Sequence, residues 1–241
     1  MLEQICESSM ENISRSIDNL RDIETALETL VDSINITRYF NHVEIDRDAF
    51  ENLPSACKFL ILKKMLSIFN SDLELKRAHL ENLPEKGIVK LKSAVIEVMA
   101  SRVVVAKIME EKEKELPLSD KIHYGYYNIE TEVISPPANL KVENCEFFDM
   151  DCLELPLRVG KKKIGDRFVA FGSENRKKIK DIFINSKIPR VLRENYPIIY
   201  DRKGIILIPG IKRSNRAPVS EKTKTILKIK HDEVINAGEE E

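Results

Sequence analysis

Apolar residues in the first third of the chain recur at three- and four-residue spacings, the pattern of helices with one buried face. Residues 2–34 contain no Pro or Gly, and the spacing predicts one long helix with a buried stripe. The pattern over 46–86 predicts two or three shorter helices. Pro54 suits a first turn, and Ser71-Asp72 suits a cap. The first part of the chain is therefore predicted to be mainly helical.

From Gly87 the pattern changes to short runs rich in β-branched residues, which favour strands. Prolines 136 and 137 interrupt this pattern, because proline restricts its own φ and the residue before it. We therefore expect a domain boundary near 136–150. The residues predicted to form strands are 88–91, 94–99, 102–108 and 123–134.

Beyond the boundary, short elements of both kinds alternate. The class predicted for the whole chain is α+β: an N-terminal helical domain with a β extension, joined to a small α+β C-terminal domain. The predicted domains are 1–135, mainly helical with strands after about 87; 150–232, basic; and 233–241, an acidic tail. The C-terminal elements are a strand at 153–157, a basic turn at 159–166, a helix from Ser173 to about Asn185, a short helix at 190–195, a hairpin at 198–208 and a strand at 223–229.

Charge is distributed unevenly along the chain. The formal net charge is −1, yet residues 156–230 hold 21 Lys/Arg and 6 Asp/Glu, a net charge of +15. The remainder has a net charge of −16, and the first helix carries eight acids against Arg15 and Arg21. Such a split is typical of a nucleic-acid-facing region beside an acidic one. We expect the C-terminal part to bind a polyanion.

Motifs that would carry catalysis are missing from the 241 residues. Neither GxxxxGK[ST], GxGxxG nor a Ser-Gly-Gly-x-Asp-Ser loop occurs, and the four histidines are dispersed. Cys145 and Cys152 are interpreted as small core residues rather than ligands. No run of about 18 apolar residues exists, and the acidic start lacks a basic signal region. We therefore expect no catalytic residue, metal or cofactor in this chain, no membrane partner, and a cytoplasmic location.

Lys and Arg residues are the candidate binding residues, because they neutralise phosphates and release counterions. Phe168, Phe171, Ile182, Phe183 and Ile188 lie at buried-face spacing and are predicted to be core rather than stacking platforms. The predicted RNA-contacting residues are Arg158, Lys161, Lys162, Lys163, Arg167, Arg176, Lys177, Lys178, Lys180, Lys187, Arg190, Arg193, Lys212, Arg213 and Arg216, with a smaller cluster of Lys63, Lys64, Lys76 and Arg77.

One ordered set of motifs resembles the C-terminal domain of tRNA(Ile)-lysidine synthetases. It begins with Leu157-Arg158 and Gly165-Asp166-Arg167-Phe168 and continues through a lysine-rich segment, 172–183. It then runs through Lys187-Ile188-Pro189, Arg193, Tyr196-Pro197-Ile198-Ile199 and Ile208-Pro209-Gly210. The helical first part resembles the family's central substrate-binding domain through weaker motifs. Together the resemblance covers nearly the whole chain.

The resemblance implies a ligase reaction in tRNA modification. Members adenylate the wobble cytidine of an isoleucine tRNA with a CAU anticodon, and the amine of lysine then displaces AMP. That chemistry lies in an N-terminal ATP-pyrophosphatase domain, to which ATP and Mg²⁺ would belong. Because the Ser-Gly-Gly-x-Asp-Ser loop does not occur, we expect this chain to lack that domain and to be inactive alone. From the resemblance we expect it to bind tRNA.

Two other functions stay open. The acidic helix and the basic domain could make a protein-interaction module, docking on partners or on each other, and a homodimer is compatible with the pattern. Alternatively, the chain is a complete enzyme whose perturbed catalytic groups cannot be recognised in a sequence.

Overall fold

Two hydrophobic cores organise the protein. The computed structural model describes residues 2–39, 41–69, 75–137 and 139–234. One core collects buried side chains between Val31 and Val105, and the other collects those between Ala106 and Ile229. We call residues 2–107 the first unit and residues 114–233 the second unit. Each contains an antiparallel sheet, so the chain is α+β as predicted.

The first unit is an antiparallel sheet with helices packed against it. Its strand order among the described residues is β1-β2-β5-β4-β3. Cys57, Ile61 and Met65 of the third helix are fully buried against this sheet, at the spacing of one helical face. Its elements are α1 (Leu2–Asp32), β1 (Thr37–Arg38), β2 (His42–Asp46), α2 (Arg47–Glu51), α3 (Ser55–Ser67), α4 (Arg77–Glu81), β3 (Gly87–Lys90), β4 (Ala94–Val98) and β5 (Arg102–Lys107).

The second unit holds two further sheets and a small hairpin. The described strands pair in the orders β15-β14-β13-β10-β6 and β7-β8-β16-β9, and β11 pairs with β12. Its elements are β6 (Lys114–Leu116), β7 (Lys121–Tyr124), β8 (Tyr127–Ile134), β9 (Cys145–Asp149), β10 (Leu157–Gly160), β11 (Arg167–Val169), β12 (Arg176–Lys178), α5 (Ile179–Asn185), α6 (Arg190–Arg193), β13 (Ile198–Asp201), β14 (Gly204–Ile208), β15 (Lys212–Arg213) and β16 (Ile226–Glu233).

The sheets correct the expected domain boundary. Strand β8 pairs along its whole length with β16, so residues 127–134 belong with the C-terminal sheet although the prediction separated them at 135. The prolines at 136 and 137 lie in a connection between β8 and β9 within one unit. The change from one core to the other falls near the end of β5 instead, between Val105 and Ala106. The described strands that were not predicted are β1, β2, β6, β9, β11, β12 and β15.

Helix α1 extends over nearly the length that the sequence predicts, but its stripe is not buried. Val31 is the described α1 residue that enters the core, and Leu27 packs partly against it. Met10 and Leu20 are 67% and 65% exposed. The apolar stripe therefore lies open over most of the helix. The predicted Ser71-Asp72 cap and the tail beyond residue 234 lie outside the described residues.

Polar contacts join the two units. The buried carboxylate of Glu97 in β4 accepts a hydrogen bond from the Val191 backbone N–H at the start of α6, at 3.0 Å. Arg102 in β5 donates to the Lys187 carbonyl at 3.0 Å. The Glu97 carboxylate satisfies a backbone N–H in the first turn of α6, and together the two contacts hold α6 and the residues before it against the first sheet.

Candidate nucleic-acid interface

A short loop after β10 separates two basic depressions on the surface. We call residues 161–167 the ridge loop. The hairpin groove, of about 730 Å³, lies between the ridge loop with β11–β12 and the β13–β14 hairpin. The interunit cleft, of about 990 Å³, lies between the ridge loop with α5–α6 and the strands β3–β5 of the first unit. Lys163, Gly165, Asp166 and Arg167 line both depressions.

Hydrogen bonds hold the ridge loop in one shape. Residues 163–166 form a tight turn that places Gly165 at φ 86°, where a residue without Cβ is favoured. The Asp166 carboxylate accepts from the Lys163 N–H at 2.7 Å and from the Tyr200 hydroxyl at 2.8 Å. Burial and the hydrogen bond to Asp166 raise the pKa of Tyr200 far above its ordinary value, so the phenol stays a neutral donor.

The hairpin groove carries a strong excess of positive charge. Seven Lys or Arg residues line it against two carboxylates. One of the two, Asp166, belongs to the ridge-loop turn, and the other, Asp201, forms an ion pair with Arg216. The surface left for a ligand is therefore cationic. The seven cations are Arg158, Lys163, Arg167, Arg176, Arg202, Lys203 and Arg216.

The interunit cleft is more basic still. Ten Lys or Arg residues line it, and Asp166 and Glu194 are its acids. Glu194 is paired with Lys162 at 2.6 Å. Because the first unit also supplies lysines, the cleft joins cations from both units. The ten are Lys90, Lys107, Lys161, Lys162, Lys163, Arg167, Lys178, Lys180, Arg190 and Arg193.

Glu113, in the segment between the units, neutralises part of this surface. Its two oxygens lie 3.1 Å from Arg158 Nη1 and 2.9 Å from Lys163 Nζ. The hydrogen bond from Lys163 lowers the pKa of Glu113 the most, and Arg158 lowers it further. A carboxylate thus occupies the kind of position in which a phosphate would be bound.

Three of the predicted arginines serve the fold. Arg193 donates from Nε and Nη2 to the Ile188 carbonyl, at 2.8 and 2.7 Å. Arg213 donates to the Phe147 carbonyl at 2.6 Å. Its guanidinium lies over the rings of Phe148 and Phe171. Arg216 pairs with Asp201. Phe171, predicted to be core, is 57% exposed.

Some of the other predicted residues lie in an element of a different kind from the one expected, and some line neither groove. Arg176, Lys177 and Lys178 were expected on a helix beginning at Ser173, but they form β12, which pairs with β11, and the helix starts only at Ile179. Lys64 is tied to Asp32 at 2.7 Å. The predicted residues that line neither groove are Lys177, Lys187, Lys212, Arg213, Lys63, Lys64, Lys76 and Arg77.

Four cations that line the grooves were not predicted. Arg202 and Lys203 lie at the tip of the β13–β14 hairpin, and their position beside Gly204 in a turn was the signal available in the sequence. Lys90 and Lys107 end strands of the first unit, and nothing local marks them. Only the packing of the two units brings them to the ridge loop.

Some classes of site are not found in the part of the chain that the structure describes. No group of three or more His, Cys, Asp or Glu residues comes together there as a metal site would require. None of the described helices is long and apolar enough to cross a membrane.

Comparisons with known proteins agree with the motifs. Residues 157–230 match the family described as the TilS substrate C-terminal domain. A tRNA(Ile)-lysidine synthase of Clostridium acetobutylicum is 26% identical over 95% of this chain and 55% of its own length. One of Clostridium tetani is 30% identical over 73% of this chain and 34% of its own. A crystal structure of a TilS C-terminal domain is 30% identical, covering 52% of this chain and 98% of that one, with a TM-score of 0.48. The chain spans about half the length, or less, of these curated relatives.

Proposed function

Because this chain belongs to the tRNA(Ile)-lysidine synthase family, we propose that it is the tRNA-recognition part of such an enzyme, acting in the cytoplasm. The observation that carries the proposal is the pair of basic grooves flanking the ridge loop. Phosphate neutralisation dominates the affinity of proteins for nucleic acids, and A-form RNA is recognised mainly through its shape and backbone. A rigid basic surface suits that task.

The proposed ligand is an isoleucine tRNA with a CAU anticodon, and the proposed reaction is the ligation of lysine to its wobble cytidine. In this proposal the chain holds the tRNA, while ATP and Mg²⁺ act in a catalytic domain with a Ser-Gly-Gly-x-Asp-Ser loop, which this sequence does not contain. We therefore expect tRNA binding by the chain without ATP turnover.

The test is a titration of labelled isoleucine tRNA with the chain across a range of salt concentrations. We expect log Kd to rise with log salt, with a slope that reports several neutralised phosphates. Lys178→Glu with Lys180→Glu, in the cleft, should weaken binding at least tenfold and lower that slope, because two attractions become repulsions. Lys222→Glu with Lys224→Glu, exposed and outside both grooves, is the matched control with the same charge change. Absence of tRNA affinity at low salt would refute the proposal.

A second candidate function, a protein-interaction module, is supported by the open apolar stripe of α1. It predicts a change of apparent mass with protein concentration on size-exclusion chromatography. That change should be independent of tRNA and abolished by Ile13→Ser with Leu20→Ser.

A further inference from the structure

Ile164 is a hydrophobic side chain at the apex of the ridge loop, and it is completely exposed, at 108% of the reference value. A single exposed apolar residue is ordinary on a protein surface. This one is held on a fixed turn: Lys163 on one side donates its N–H to Asp166, and Gly165 follows with a left-handed backbone. The loop therefore presents an apolar tip at a defined place.

Cations flank this apolar tip on two sides. The hairpin groove lies along one flank, with Arg176 and Arg202 on its walls. The interunit cleft lies along the other flank; Ile164 itself borders this cleft, together with Lys107 and Lys180. The apolar Ile164 side chain thus stands on a basic loop between two positively charged grooves. Two rows of negative charge on either side of a shallow trough would complement this surface.

Double-helical RNA has that arrangement. Two phosphate backbones border its minor groove, which in the A form is wide and shallow and displays riboses and base edges. The minor groove of B-form DNA is narrow, about 6 Å wide and about 7.5 Å deep, and it accommodates such a loop less well. A single strand would need one groove and exposed rings for stacking. The rings that line the two grooves, Phe168, Phe183 and Tyr200, are buried.

Building on the proposed function, we propose that the ridge loop enters the minor groove of an RNA double helix, with Ile164 as its apolar contact. The hairpin groove and the interunit cleft then bind the two backbones. Ile164 contributes affinity through ribose and base-edge surface removed from water rather than through charge. It also discriminates double-helical RNA from single strands and from DNA.

The test compares the full chain and three variants on an RNA hairpin, a DNA hairpin of the same sequence and a single-stranded RNA of equal length. Ile164→Ser should weaken binding to the RNA hairpin about tenfold with an unchanged salt slope, since contact is lost but no charge. Ile164→Leu should retain the affinity. Ile184→Ser is the matched control, an exposed isoleucine on α5 that lines neither groove and should have no effect.

Equal affinity of Ile164→Ser and the unchanged chain for the RNA hairpin would overturn the inference and leave tRNA binding intact. Equal affinity of the unchanged chain for hairpin and single strand would also overturn it. Binding of the unchanged chain to isoleucine tRNA but not to the RNA hairpin would overturn the inference alone. Failure to bind isoleucine tRNA in the same assay would instead refute the proposed function. Because Ile164 is fully exposed, its variants should unfold at the same temperature as the parent.

Discussion

Asp201 and Arg216 form a two-bonded ion pair in which both oxygens of a fully buried carboxylate lie 2.6 Å from guanidinium nitrogens. The same carboxylate accepts the backbone N–H groups of Lys203 and Gly204, at 2.8 and 2.9 Å, and of Glu154, at 3.2 Å. Asp201 therefore ties the β13–β14 turn to two other segments, and it shapes the floor of the hairpin groove.

Replacing Asp201 with Asn should destabilise the protein by about 2–3 kcal/mol, because Arg216 would lose its counter-charge in a partly buried site. The free energy of unfolding in urea measures this loss. Glu154→Gln removes a carboxylate that pairs with Lys203 on the surface, and should cost less than about 0.5 kcal/mol. Similar losses in the two variants would contradict the role given to the buried pair.

Alanine substitutions at Gly210 and Gly172 distinguish the cost of backbone strain from the cost of a steric clash with the added Cβ. Both have left-handed backbones, at φ 67° and 74°. A Cβ at Gly210 would lie 2.5 Å from the Tyr127 hydroxyl oxygen, whereas a Cβ at Gly172 would meet nothing within 4 Å. We expect Gly172→Ala to cost about 1 kcal/mol and Gly210→Ala about 3 kcal/mol in urea unfolding. Equal losses of unfolding free energy in the two variants would show that the Tyr127 side chain moves away from the new Cβ at little energetic cost.

His42 should make the stability depend on pH. It stacks on Tyr39, meets the Tyr126 ring edge-on and has Asn41 Oδ1 3.1 Å from its Nδ1. Burial, and then the positive charge of Arg102, lower the pKa of His42 to about 3.

The unfolded chain takes up this proton near pH 6.5, before the folded chain does, so stability falls as the pH decreases from there toward 3. The contribution approaches about 1.4 kcal/mol per pH unit inside that window. His42→Gln should flatten the plot of unfolding free energy against pH between about 6 and 4. A variant curve parallel to that of the parent would show that His42 does not cause the pH dependence of stability.

Glu113 should weaken RNA binding, since it neutralises Arg158 and Lys163 at the hairpin groove. Glu113→Gln is expected to strengthen binding to tRNA about threefold at low salt and to steepen the salt dependence. The control, Glu132→Gln, makes the same charge change at a surface pair with Lys228 that lines neither groove. If both variants gain equally, only the net charge matters, and Glu113 has no special position.

Local pattern was sufficient where an element is stabilised by its own residues or by its neighbour in the chain. The hairpin at 198–208 and the long first helix were predicted and are present. The stretch from Ser173 was misjudged because Ile179, Ile182 and Phe183 do have helical spacing. Strand β12 just before them arises from hydrogen bonds to β11, which periodicity cannot reveal.

The sequence by itself determined the class of the fold, the resemblance to the synthases and the concentration of positive charge in residues 156–230. All three depend on residue types and their local order. Tertiary structure decided the partner of β8, the placement of Arg213 over two phenylalanine rings, and the placement of Lys107 in the same cleft as the ridge loop. These depend on contacts between residues far apart in the chain, and a local pattern shows which face of an element is apolar but not what covers it.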